Sequence, residues 1–259
     1  MEYEFITYHT ENRMGYITLN RPDKRNALSF DVVSELQDAF DTANKDENCK
    51  VVVLKANGKA FCAGADLDFL QKLQNFTFED NFKDSSHLAK LFDKIYQLDK
   101  VVIAQIQGAA LAGGCGLATI CDFSFSAQSA QFGYTEARIG FIPAIVMVYL
   151  IRKIGEGKAR ELLLSADIIS ADQAKEYGLI NYVVADESLE ESVRNFALRL
   201  CEQNSSQSMN FTKRMIADVQ SMKMQDALEF AAKMNAEARA SEDCKKGISA
   251  FLNKEKLIW

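Results

Sequence analysis

Two runs of small residues mark places where this chain can do chemistry with its main chain. Residues 56 to 66, ending in Ala63-Gly64-Ala65-Asp66, and residues 108 to 117, with Gly113, Gly114 and Gly116 at their centre, hold few bulky side chains. Glycine accepts conformations and close approaches that a Cβ forbids, so such runs suit loops whose N–H groups must come close to something. Either run by itself also fits an ordinary tight turn. Metal chemistry has less support: His9 and His87, the only histidines, are far apart and fit no ligand spacing. The six cysteines (Cys49, Cys62, Cys115, Cys121, Cys201, Cys244) show no Cys-x-x-Cys spacing, and we read them as reduced thiols, mostly buried. Cys62 and Cys115 lie beside the two runs, where packing is the expected role.

A chain of 259 residues can bury a large core, and one main domain with an appendage is expected. Hydrophobic residues at 48% and charged residues at 25% are ordinary globular values, and the apolar stretches are too short or too interrupted to span a bilayer. The net charge of -6 gives no general attraction to nucleic acid, although a local basic patch can still hold an anionic ligand. The opening residues lack the basic start and apolar core of a secretory leader, so a cytoplasmic location is the expectation.

The elements that must position the two runs follow from periodicity. Tyr3, Phe5 and Thr7, then Met14, Tyr16 and Thr18, alternate about a turn at Glu11-Asn12-Arg13 and predict a hairpin. Ser29 can cap a helix carrying Val32, Val33, Leu36, Phe40 and Ala43, which leads to a buried strand from Val51 to Leu54. Asp66 opens the next short helix. Residues 73 to 84 show no clear period and suggest a mobile flap before a helix from about Ser86 to Leu98. A second apolar strand, Val101 to Ile106, precedes the second glycine run, and a strand from Asp122 to Ala127 follows, so the order strand, glycine loop, helix, strand occurs twice. From Ile145 onward helices dominate, with turns at Gly155, Gly178 and Asn204 and a short strand at Tyr182 to Val184. The final helices have too little core of their own, and their apolar faces need the main domain or another subunit.

Leu19-Asn20-Arg21-Pro22-Asp23-Lys24-Arg25-Asn26-Ala27-Leu28, Gly58 to Leu67 and Gly108 to Asp122 together resemble the three signature blocks of the crotonase superfamily, the enoyl-CoA hydratase/isomerase family. A fourth block, Phe132 to Pro143, resembles the family's second active-site segment, so the resemblance covers nearly the whole chain and is weakest in the last helices. It implies an α/β fold, a spiral of repeated β-β-α units, with residues 1–200 as the core carrying the CoA and acyl site. Residues 201–259 would form a helical region that builds trimers, often paired into hexamers.

The resemblance also implies roles. Deprotonating the carbon beside a thioester, or adding water to an enoyl thioester, puts negative charge on the carbonyl oxygen, which two preorganised N–H donors stabilise as it forms. The implied donors are the N–H groups of Ala65 and Gly113, with Gly114 the neighbouring choice. Glu136 matches the family's general acid or base, a role that an apolar pocket would favour by raising its pKa. Lys24 and Arg25 would face CoA phosphates, the backbone around Ala27 and Ala63 would meet the adenine, and Asp66, Leu67, Phe251 and Lys254 would add contacts, the last two across subunits. The acyl-CoA is the substrate, and no separate cofactor and no metal is implied.

The chain departs from the family's two-glutamate hydratases at Gly116, where their first catalytic glutamate would fall. A single base suits the family's Δ3,Δ2-enoyl-CoA isomerases. Yet Gly116 with the run from Glu136 to Val146 also resembles bacterial enzymes assigned as methylglutaconyl-CoA hydratases in leucine breakdown, for whose substrate Arg138 would be a basic partner. Tyr134, Glu79, Asp80 or His87 could supply a second group. A non-catalytic acyl-CoA-binding protein, or another enolate reaction such as decarboxylation, stays open, because fold does not settle function.

Overall fold

The computed structural model describes residues 3–259, apart from the side chains of residues 67, 68 and 73. Strands β1 (Ile6–Glu11) and β2 (Met14–Leu19) form the hairpin, with Ile6 opposite Leu19 and Glu11 opposite Met14. Ser29 Oγ accepts from the Val32 N–H at 3.3 Å and opens α1 (Phe30–Lys45), which buries the five apolar residues read from the helical period.

The chain then winds as a spiral in which each turn gives a strand to one sheet, a short strand to a second sheet, and a helix. The first turn is β3 (Val51–Ala56), β4 (Ala60–Cys62), α2 (Leu67–Leu73) and α3 (Phe78–Gln97). The second is β5 (Val101–Ile106), β6 (Ala109–Leu111) and α4 (Gly113–Ile120). The third is β7 (Phe123–Ala127), β8 (Gln131–Gly133), a 3-10 turn at Glu136–Ile139 and α5 (Ala144–Ser165). After β9 (Ile168–Ser170) and α6 (Ala171–Glu176), β10 (Tyr182–Val184) returns to the first sheet.

The sheets run β1-β2-β3-β5-β7-β10 and β4-β6-β8-β9. The former is parallel beyond the hairpin and the latter is parallel as far as β8. Val51 to Leu54 are fully buried without alternation, as a parallel strand covered on both faces must be.

Two local expectations change. Residues 78 to 84 are helical: Thr77 caps α3 with a capping box, its Oγ1 accepting from the Asp80 N–H at 3.1 Å while Asp80 accepts from the Thr77 N–H at 3.1 Å. The cap chemistry starts the helix eight residues before Ser86, although this first stretch buries no apolar stripe. The two glycine runs also each contain a three-residue strand, β4 and β6, made by pairing between successive spiral turns rather than by any local alternation.

Helix α7 (Leu189–Gln203) runs through the expected division at residue 200 and buries Leu189, Val193, Ala197, Leu200 and Cys201 against the first sheet, so the helical tail begins after it. In that tail, α8 (Ser206–Val219) buries only Lys213, α9 (Met224–Ala240) buries no residue, and α10 (Glu242–Asn253) buries only Ala250. Among the described residues no helix is long and apolar enough to cross a membrane.

Candidate active site

The site is built where successive turns of the spiral touch. A parallel bridge pairs Leu28 with Ala65, the Leu28 N–H donating to Gly64 O at 2.7 Å and the Asp66 N–H to Leu28 O at 3.1 Å. In such a bridge the flanking residues bond the partner, so the Ala65 N–H points away from it. Ala65 is exposed, and among the described residues its N–H has no acceptor.

The second donor starts α4. A helix leaves its first N–H groups without intrahelical partners, and here the first bond is from the Gly116 N–H to Ala112 O at 3.1 Å. Gly113 is half-exposed, whereas Gly114 is buried, so the accessible donor is that of Gly113. A Cβ on Gly114 would lie 2.2 Å from Cys62 O; glycine there lets α4 abut β4.

The two loops are in contact. A Cβ on Gly64, whose φ is +91°, would lie 2.8 Å from Ala112 Cβ, 3.0 Å from Leu111 O and 3.5 Å from Gly113 N. Ala112 has φ 49° and ψ -127°, a region glycine ordinarily fills, and is clamped there by its N–H donating to Gly133 O at 2.7 Å. Strain of this kind costs about 1–3 kcal/mol and persists only where surrounding bonds over-determine it. Here it turns the chain sharply from β6 into α4, which aims the first N–H of the helix.

Glu136 begins the 3-10 turn after β8 and is half-buried. Its Oε2 is buried with no hydrogen-bond partner among the described residues. Burial pushes its carboxyl up from the ordinary range, opposed by a hydrogen bond from its own backbone. A carboxyl desolvated in that way holds its proton more readily than an exposed one, which suits it to take and return a proton.

Gly116 sits inside α4 with no room beside it. An added Cβ would lie 2.2 Å from Val146 Cγ1, 3.0 Å from Val146 Cβ and 3.0 Å from Phe92 Cε1.

The CoA-side candidates gather around one buried side chain that the sequence reading did not single out. Asn26, 1% exposed, accepts from the Arg21 N–H at 2.9 Å and donates to Asn57 O at 2.8 Å and Ala60 O at 2.9 Å. Arg25 and Asn26 are left-handed, φ 51° and 54°, and the Ala63 N–H donates to Arg25 O at 3.0 Å, so Lys24, Arg25, Ala27 and Ala63 lie together. Asparagine tolerates that conformation, and a buried polar residue inside a charged turn is the signal that could have found it. The Asn26→Ala variant is expected to lose about 2 kcal/mol or more, from unsatisfied backbone groups and left-handed strain, as a lower denaturation midpoint.

Other candidates lie elsewhere. Asp66 is 4% exposed and forms an ion pair with Arg21 at 3.1 Å, which ties α2 to the segment before the Lys24 turn. The Leu67 side chain lies outside the described residues. Phe251 is 83% exposed and Lys254 caps α10. His87 stacks on Phe30 and bonds Ser34 Oγ at 3.0 Å, linking α1 to α3. Asp80 serves the α3 cap beside exposed Glu79. Tyr134 is fully buried, its hydroxyl 3.1 Å from Thr119 Oγ1 and burial holding it well above the ordinary range. Arg138 is half-exposed on the turn that Glu136 opens, 4.0 Å from Asp167.

Main-chain N–H groups on two touching loops of a β-β-α spiral, in a chain that also half-buries a carboxylate, suit an enzyme whose substrate gains charge on an oxygen. The family model described as enoyl-CoA hydratase/isomerase matches residues 9–259. The crotonyl-CoA hydratase of Syntrophomonas wolfei is 35% identical over 263 residues, which cover 99% of this chain and 98% of that protein. The mitochondrial enoyl-CoA hydratase of Pongo abelii is 34% identical over 246 residues, 95% of this chain and 83% of that one. Among solved structures, an enoyl-CoA hydratase from Bacillus anthracis matches with a TM-score of 0.91 at 32% identity, covering 99% of each chain. The chain belongs to the enoyl-CoA hydratase/isomerase family of the crotonase superfamily.

Proposed function

We propose that the chain acts on an enoyl-CoA thioester, holding the enolate oxygen between the N–H groups of Ala65 and Gly113 while Glu136 moves a proton at the acyl chain. The observation that carries this reading is the contact between the two donor loops at Gly64 and Ala112. Donors fixed before reaction stabilise charge as it develops, at no reorganisation cost. In this reading Lys24 and Arg25, both exposed, face the CoA phosphates beside Ala27 and Ala63.

With Glu136 as the acid/base, the reaction that needs least is a double-bond shift. Glu136 takes a proton from the α-carbon of a 3-enoyl thioester, the pair from that C–H bond spreads into the thioester as a dienolate, and the γ-carbon takes the proton back. The double bond then lies next to the carbonyl, and no other reactant is consumed. Hydration of a 2-enoyl-CoA is the second reading, favoured by relatives named hydratases, with Arg138 as the basic partner of a carboxylate-bearing substrate such as 3-methylglutaconyl-CoA.

Purified protein incubated in deuterated water with crotonyl-CoA, a 3-enoyl-CoA and 3-methylglutaconyl-CoA is expected to introduce deuterium beside the thioester of at least one of them. Binding without exchange or product across the whole set would instead leave an acyl-CoA-binding protein. We also read the tail as a self-association region, because Met224, Leu228, Phe251 and Leu252 are exposed on it; a trimer or hexamer would cover them.

A further inference from the structure

Glu136 and the Gly113 N–H sit on different turns of the spiral, so something must hold those turns in register. Apolar contact is non-directional, whereas a buried hydrogen bond accepts one register. The segment from β8 to Glu136 is tied to α4 at both ends of the helix. Gly133 O accepts from the N–H of Ala112, the residue before the helix, at 2.7 Å. From the next residue, the Tyr134 hydroxyl lies 3.1 Å from Thr119 Oγ1, near the far end of α4. Thr119 has one hydroxyl proton and donates it to Gly116 O at 3.1 Å, so Tyr134 is the donor in the pair. Cys115, one helical turn before Thr119 on the same face, bonds the tyrosine hydroxyl as well. Tyr134 and Cys115 are fully buried and Thr119 is 7% exposed, so a slip in register would strand a hydroxyl without a partner. Glu136 follows two residues after Tyr134, within electrostatic reach of this face of α4. Burial first, and the Glu136 charge in addition, raise the Cys115 thiol to about 12 and hold the Tyr134 phenol well above its ordinary value.

We propose that Tyr134 is a positioning residue for the reaction: its hydroxyl, bonded to Thr119, holds the Glu136 turn in register with α4 and so fixes the acid/base relative to the Gly113 N–H. The inference rests on the roles given above to Glu136 and Gly113. Tyr134 touches no substrate in this reading and acts through the turn that follows it. Proton transfer and charge stabilisation belong to one step, so a shift of about 1 Å between the two groups costs up to about a hundredfold in rate. Binding of the CoA part, made at the Lys24 turn, is untouched by such a shift.

The test measures kcat, KM and deuterium exchange beside the thioester with whichever of crotonyl-CoA, a 3-enoyl-CoA and 3-methylglutaconyl-CoA the wild type turns over, and Kd for a saturated acyl-CoA. Tyr134→Phe keeps the ring and removes the hydroxyl; kcat and exchange are expected to fall about tenfold, with KM and Kd within about twofold of wild type. Thr119→Val is expected to match it, and the double variant to be no worse than either single one, because both remove the same bond. Thr119→Ser restores the bond and is expected to recover most of the loss seen in Thr119→Val. A hydroxyl that only stabilised the fold would lower the melting temperature and leave kcat of the folded protein alone. A kcat for Tyr134→Phe within about twofold of wild type, or losses at 134 and 119 that multiply, overturns the proposal. If Tyr134→Phe does not fold, the contrast between Thr119→Val and Thr119→Ser decides. Glu136→Gln run alongside separates the two ideas. If it loses exchange while Tyr134→Phe keeps it, only the role of Tyr134 fails; if it keeps exchange, the assignment of Glu136 fails and the positioning role with it. Wild type that exchanges with none of the three thioesters overturns both.

Discussion

The Glu136→Gln variant is expected to lose about a hundred- to ten-thousand-fold in kcat while binding acyl-CoA as wild type does, since a positioned acid/base contributes that much and glutamine keeps the shape. Calorimetric titration with a saturated acyl-CoA checks the binding half, and unchanged turnover would sink the assignment. A second signature follows from burial. Folding raises the Glu136 pKa above its ordinary value of 4.5, so the folded state keeps the proton at a pH where the unfolded chain has released it. The stability tied to that proton is fully present below the unfolded pKa and is lost as pH rises through the folded one. Glutamine is neutral throughout, so the variant is expected to gain stability relative to wild type with rising pH across that window. A merely exposed glutamate would give no such trend. The rising limb of kcat/KM against pH is expected to lie above 4.5 for the same reason.

The second large effect is expected at Gly64, which touches no substrate in this reading. With φ at +91° and Ala112 Cβ only 2.8 Å from where its own Cβ would stand, Gly64→Ala must push the Ala65 loop away from Gly113. Losing the alignment of one donor in such a hole costs about a hundred- to thousand-fold in kcat. Strain and overpacking are expected to cost about 1–3 kcal/mol of stability as well. Gly178→Ala is the control: φ there is +75° but no atom lies within 4 Å of the added Cβ, so it carries the backbone strain without the collision. Stability is expected to fall and kcat to stay. If Gly64→Ala retained full kcat, the two loops would not form one hole.

Gly116 adds a check on packing. In an open helix, glycine to alanine gains about 1 kcal/mol, but here the methyl meets Val146, so Gly116→Ala is expected to destabilise while Gly116→Ala with Val146→Ala recovers part of the loss.

What the sequence by itself determined was local. The turn at Glu11-Asn12-Arg13 between two apolar runs set the hairpin, the 3.6 period with Ser29 set α1, and unbroken apolar runs set β3 and β5; the face of β1 did not follow from the Tyr3, Phe5, Thr7 alternation, since Ile6 is buried and Thr7 exposed. Ordered blocks of glycine and charge also sufficed to point to the family. The strands β4 and β6 were not legible, since three small residues become a strand only when the next turn of the spiral pairs with them. Nor was the closure of the space over Gly116, which depends on α3 and α5 meeting α4 from positions 24 and 30 residues away in the chain. The same holds for the partnerless Oε2 of Glu136 and for the contact of Gly64 with Ala112. Residue type decides what a position can donate, accept or fill, while the close approach of distant backbones decides which of those capacities face one another.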